Sequence, residues 1–167
     1  MKYQLGIVTA LIAAMTLGIA PALAKKGPGE KANGGVSVSE SGLHISFNAH
    51  ESRKGSPAKG QAGVESVETN RRIHVKVKYV VIEGDNAWFA GRCTSDSEGT
   101  AEGAWLFVKA IDNGTPGRKG DRIGWDWSSA DENDARRRVE TLDAPDHMWD
   151  VIGGNLVVHG EDGLVPT

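Results

Sequence analysis

The side chains with the clearest potential for chemistry lie in the loop-like stretch from Ile111 to Asp121. Asp112, Asn113 and Asp121 offer carboxylate and amide oxygens, which are the ligands that calcium takes in proteins. The spacing is not that of an EF-hand, because the alternating acids and the closing glutamate are missing. The same residue types also form Asx turns, in which the side-chain oxygens accept backbone N–H groups. We therefore expect turn chemistry in this loop, with calcium binding at these three residues as the functional alternative.

Five tryptophans are the second feature with chemical potential. Trp125 and Trp127 share one face of a predicted strand, and Asp126 lies on the opposite face. Exposed aromatic rings near a carboxylate are suited to stacking on sugar rings, whereas most aromatic residues of β proteins lie in the core. We expect at least three tryptophans in the core. Trp149 is expected to be the most exposed, because its segment has no clear periodicity. The candidate ligand-binding residues are Trp125, Trp127 and Trp149.

No arrangement of residues marks a catalytic centre. The five histidines form no H-x-x-x-H or H-x-H pair, and the sequence contains neither G-x-S-x-G nor H-E-x-x-H. A single cysteine, Cys93, excludes an internal disulfide, and its strand-like flanks predict a buried thiol. A non-enzymatic protein is therefore favoured. The alternative is a metal-assisted hydrolase or lyase in which Asp112, Asp121 and histidines meet in space.

The first 24 residues have the pattern of a secretory signal peptide. Lys2 provides a positive start, Leu5–Ala20 is apolar, and Ala22 and Ala24 are the small residues of a cleavage site. The apolar run is shorter than the roughly 20 residues that span a bilayer. We expect a secreted or periplasmic product that does not insert into a membrane after cleavage. The net charge of −3 argues against a general nucleic-acid binder.

The rest of the chain divides into a leader, one domain and a tail. Residues 25–35 are rich in Gly and Lys and predict a disordered leader, whereas residues 161–167 read as a loose tail. Residues 36–160 form the predicted β domain. Apolar residues alternate with polar ones in several of its segments, which is typical of half-buried antiparallel strands. One polar segment, Asp131–Thr141, has acids first and arginines later, as a surface helix does.

This pattern predicts an all-β fold, an antiparallel β-sandwich or flattened barrel with one short surface helix. The predicted core consists of apolar residues from the alternating segments, namely Leu43, Ile45, Phe47, Val75, Val77, Tyr79, Phe107, Val108, Ile123 and Val157.

Two segments carry a resemblance to a known family. Lys109–Gly117, continued by Gly120–Ile123, resembles the D-x-G-x-P-G loop of secreted bacterial proteins with a post-COAP-like β domain. Ile152–His159 resembles their glycine-rich closing strand, and Gly42–His50 their opening strand. Thr115 stands where that family often has Glu, so one potential oxygen ligand is missing. The resemblance implies a secreted all-β domain of the accessory type and supplies no catalytic residue.

These observations together favour an exported, non-enzymatic β domain that binds a cell-surface, glycan or protein ligand. Two alternatives stay open, the metal-assisted extracytoplasmic hydrolase or lyase and a structural domain stabilised by calcium.

Overall fold

The computed structural model is a closed barrel of eight antiparallel strands, in which each strand pairs with the next and β8 pairs with β1. The structure describes residues 30–38, 42–52, 57–114, 120–128 and 131–160. The elements are β1 (Lys31–Val38), β2 (Leu43–His50), β3 (Lys59–Ser66), β4 (Arg72–Glu83), β5 (Asn86–Asp96), β6 (Trp105–Ile111), β7 (Arg122–Ser128), α1 (Glu132–Glu140) and β8 (Trp149–His159). The predicted all-β class with one short helix is confirmed, and the sheet closes as a barrel.

The interior of the barrel is filled by one face of every strand. Phe47 and Phe89 lie at its centre, with ring centroids 5.0 Å apart. Seven of the ten predicted core residues are buried. Leu43, Tyr79 and Val157 are half-buried, and of these three Leu43 packs against the interior cluster. Val157 faces outward, because its neighbours Leu156 and Val158 point into the barrel. Tyr79 lies beside an irregularity in the β4–β5 register and also faces outward.

Helix α1 lies on the outer wall of the barrel and covers a second apolar cluster. Asp131 caps its first turn, where Oδ1 accepts the backbone N–H of Asp134 at 2.9 Å. Ala135 and Val139 are the buried residues of the helix. They pack on the outward side chains of β5 and β6, which are Trp88, Ala90, Trp105 and Phe107. The predicted surface helix is therefore confirmed, and its few apolar residues are the ones that dock it.

The predicted leader was wrong at its C-terminal end, because β1 begins at Lys31 and includes Gly34 and Gly35. These glycines belong to the sheet. A Cβ atom on Gly34 would lie 2.6 Å from the ring of Phe47, so the interior has no room for a larger residue there. The predicted signal peptide, the start of the leader and the tail at 161–167 lie outside the described residues.

Within the described ranges, no helix is both long and apolar enough to cross a membrane. Cys93 is buried as predicted, with 3% of its surface exposed, and burial raises the pKa of its thiol.

Candidate ligand-binding site

One end of the barrel opens into a cavity of about 270 Å³, which we call the mouth. Its walls come from the ends of β2, β3, β4 and β7 and from the loop between β3 and β4; the lining residues are Leu43, Val64, Ser66, Thr69, Arg71, Ile73, Trp125 and Trp127. Trp125 and Trp127 reach it because alternate residues of β7 point inward. Asp126, between them, points outward and pairs with Arg138 of α1. The shared face of the two tryptophans was predicted correctly.

The three candidate tryptophans differ in exposure. Trp127 is 36% exposed at the mouth, whereas Trp125 is 8% exposed inside the barrel. Trp149 is half-buried and stacks on Trp125, with ring centroids 4.0 Å apart and an interplanar angle of 26°. The expectation that Trp149 would be the most exposed was therefore wrong, and that position belongs to Trp127. The prediction of at least three core tryptophans is confirmed by Trp88, Trp105 and Trp125.

The stack fills a place where the barrel wall is thinly paired. The ladder between β7 and β8 has only two residue pairs, Arg122 with Asp150 and Ile123 with Trp149. Beyond them, the segment before β8 packs directly on the backbone of β7. A Cβ atom on Gly124 would lie 2.2 Å from the carbonyl oxygen of His147. The ring of His147 in turn lies 5.0 Å from that of Trp149. Trp149 is therefore held as a fixed wall behind Trp125.

The charge at the mouth is neutralised within the protein. Arg71 donates two hydrogen bonds to Asp96, from Nε to Oδ1 at 3.0 Å and from Nη2 to Oδ2 at 2.7 Å. The carboxylate also accepts the backbone N–H groups of Glu98 and Ala101. The hydrogen bonds from Arg71 hold the pKa of Asp96 well below its usual range. The mouth therefore offers aromatic and aliphatic walls with the hydroxyl groups of Ser66 and Thr69 at its rim.

Residues 112–114 and 120–121, the described part of the loop between β6 and β7, lie at the other end of the strands and form the contacts that turn chemistry predicts. Residues 115–119 of the predicted loop lie outside the described residues. Asp112 accepts the backbone N–H of Gly114 at 2.8 Å through Oδ1 and that of Val158 at 2.9 Å through Oδ2. Oδ1 of Asp121 accepts the backbone N–H of Asn113 at 3.0 Å. Oδ2 of Asp121 is buried and has no hydrogen-bond partner among the described residues.

These contacts tie the loop to β8, and they commit most of the oxygens proposed as calcium ligands. Calcium takes six to eight oxygens. Of the carboxylate oxygens of Asp112 and Asp121, Oδ2 of Asp121 is the one without a hydrogen bond to any described residue. In the described parts of the chain, no three His, Cys, Asp or Glu residues are grouped so that they could hold a metal ion.

Sequence reasoning missed most of the mouth. Val64, Ser66, Thr69 and Arg71 belong to β3 and the loop that follows it, and β3 lacks the aromatic and β-branched alternation that identifies strands. The bidentate pairing of Arg71 with Asp96 joins residues 25 positions apart and has no local signature.

The sequence matches no protein-family model, and comparisons with curated proteins and with solved structures give no match either. The resemblance to post-COAP-like domains stays a prediction.

Proposed function

We propose that this chain is an exported, non-enzymatic binding module whose mouth takes one sugar ring of a cell-surface glycan. The observation that supports the proposal is the position of Trp127. It is an aromatic side chain exposed at an open cavity, whereas Trp88 and Trp105 are buried under the helix.

The size and lining of the mouth favour a single ring. Pockets that enclose a whole drug-sized ligand measure about 300–1,000 Å³, and the mouth holds about 270 Å³. An indole face can cover the apolar C–H face of a pyranose, while hydroxyls such as those of Ser66 and Thr69 exchange hydrogen bonds with the hydroxyls of the sugar. Because Arg71 is committed to Asp96, an uncharged ring suits this site.

The experiment is a glycan-array screen of the purified protein beside two variants. Trp127→Ala removes the exposed ring, and Ile152→Ala is the matched control, since Ile152 is another exposed apolar side chain, 49% accessible, on β8. We expect a set of uncharged glycans that bind the wild type and the control and that are lost in Trp127→Ala. Binding of these uncharged glycans by Trp127→Ala would contradict the proposal.

A second candidate function, structural calcium binding at the loop between β6 and β7, is supported by one observation. The buried Oδ2 of Asp121 has no partner among the described residues, and a buried polar atom without a partner is costly unless a cation or a donor offsets it. Calcium binding only to the folded state would stabilise it by about 2.7 kcal/mol at a hundredfold excess over Kd. Thermal unfolding in EDTA and in calcium tests this. Calcium should raise Tm in the wild type and not in Asp121→Asn, and equal wild-type Tm values in both buffers would refute it.

A further inference from the structure

A polar trough runs across the outer wall of the barrel, on the side formed by β8 and β1–β5. Its side chains lie in two neighbouring rows that follow the strand register from one strand to the next. One row contains three amides followed by two cations, in the order Asn33, Asn48, Gln61, Lys76 and Arg92. The other row contains two glycines and therefore rises less above the sheet; its members are Asn155, Gly35, Ser46, Gly63 and His74. We call these two rows together the amide trough.

The glycines of the second row make this wall concave. A Cβ atom on Gly35 would meet no atom within 4 Å, and one on Gly63 would lie 3.0 Å from Oγ of Ser46. Two surface depressions result, of about 690 Å³ over β2–β4 and about 450 Å³ over β8 and β1. Asn48 lines both of them, so the two depressions adjoin.

The amides of the trough have no hydrogen-bond partner in the part of the chain that the structure describes. Across the described residues, the side chains of Asn33, Asn48, Gln61 and Asn155 make no hydrogen bond. Each amide can donate two hydrogen bonds and accept others. Some polar side chains elsewhere on this sheet pair with each other. Arg72, for example, donates to Glu65 at 3.1 Å.

The β4–β5 end of the trough is positively charged. Lys76 and Arg92 are exposed, and neither makes an ion pair with any described residue. Lys78, which lies on β4 as Lys76 does, makes an ion pair instead, with its Nζ 2.8 Å from Oε1 of Glu132. The two rows contain no Asp or Glu, although the whole chain is acidic, with a net charge of −3.

We propose that the amide trough binds an extended acidic polysaccharide, a chain of uronate-type sugars. Adjacent strands are about 4.8 Å apart, so the row from β1 to β5 spans roughly 19 Å, the length of several pyranose rings. Side-chain amides exchange hydrogen bonds with sugar hydroxyls, and the cations pair with the carboxylates. The trough is on the outer wall and the mouth is inside the barrel end, so this inference goes beyond the proposed function and does not depend on Trp127.

The test measures binding of the purified protein to polygalacturonate and to neutral dextran by affinity electrophoresis, in EDTA to prevent cross-linking of the polymer by calcium. We expect retardation by polygalacturonate and none by dextran. Lys76→Gln should weaken polygalacturonate binding about fivefold or more. Gln61→Ala should weaken it as well, because it removes an uncharged partner of the chain.

The matched control is Arg122→Gln, which removes the same charge from β7. It breaks an exposed pair with Asp150 at 3.6 Å and an exposed hydrogen bond to the backbone carbonyl oxygen of Met148 at 3.4 Å. It should bind like the wild type, and so should Trp127→Ala, whose defect is confined to the mouth. Absence of wild-type binding to polygalacturonate, equal binding to dextran, or the same loss in Lys76→Gln and Arg122→Gln would each overturn the proposal.

Discussion

Replacing Trp127 with Ala tests ligand binding at the mouth directly. The exposed area of the side chain gives the expected change in Kd. The residue is 36% exposed, which for a Trp side chain of roughly 250 Å² leaves roughly 90 Å² available to a ligand. At about 25 cal/mol per Å² this area is worth about 2 kcal/mol, or about thirtyfold in Kd. Area converts to affinity incompletely, because binding also costs motional freedom. We therefore expect the Kd for the best glycan to rise by roughly 10- to 30-fold.

The assay is isothermal titration calorimetry with the strongest glycan from the array. Because Trp127 is only 36% exposed, the substitution also removes buried apolar contacts and should lower Tm. The titrations are therefore run well below the Tm of the variant, so that a binding defect is separable from unfolding. Ile152→Ala should keep the wild-type Kd. A change of less than twofold in Trp127→Ala would refute the reasoning, since it would mean that the exposed indole face does not contact the ligand.

Two further predictions concern the structures that hold the trough and the mouth in place. Gly34→Ala should lower the free energy of unfolding by about 1–3 kcal/mol, because the new methyl group collides with Phe47. Gly35→Ala should not lower it, because the new methyl group meets no atom within 4 Å. Urea unfolding of both variants checks this, and equal losses of stability would contradict it. The depressed pKa of Asp96 means that the folded state binds a proton at this carboxylate less readily than the unfolded chain does. The stability that the ionised Asp96 contributes is therefore fully present above the unfolded pKa near 3.9 and is lost as the pH falls through the lower folded pKa. Asp96→Asn should therefore be less stable than the wild type at pH 7, with a smaller difference at pH 2–3, and a difference that does not narrow in acid would contradict this assignment.

The all-β class was predictable because several strands have a local pattern of alternating apolar and polar residues. In β4, Ile73, Val75 and Val77 alternate with polar residues, and all three are buried as this pattern requires. The helix was predictable from its acidic start and its cap at Asp131. Both features depend on neighbours a few positions apart in the sequence, which is the range that patterns of hydrophobicity and charge can report.

What could not be predicted depends on contacts between distant parts of the chain. Strand β1 contains glycines that look like linker residues, and Gly34 has no room for a side chain because the ring of Phe47 on the next strand lies against it. Closure of the barrel pairs β1 with β8, at opposite ends of the described chain. The orientation of Trp149 is decided by its stacking on Trp125, which no spacing in the sequence encodes.

The central claim, that the mouth binds a sugar ring, is tested most directly by the indole N–H resonances of the five tryptophans. Nitrogen-labelled protein would be titrated with the strongest glycan and followed by two-dimensional NMR. We expect the largest chemical-shift change at Trp127 and smaller changes at Trp125 and Trp149, because these two rings form the adjoining wall. The resonances of Trp88 and Trp105 should not shift, because both side chains are buried beneath the helix. Shifts at Trp88 or Trp105 with none at Trp127 would contradict it.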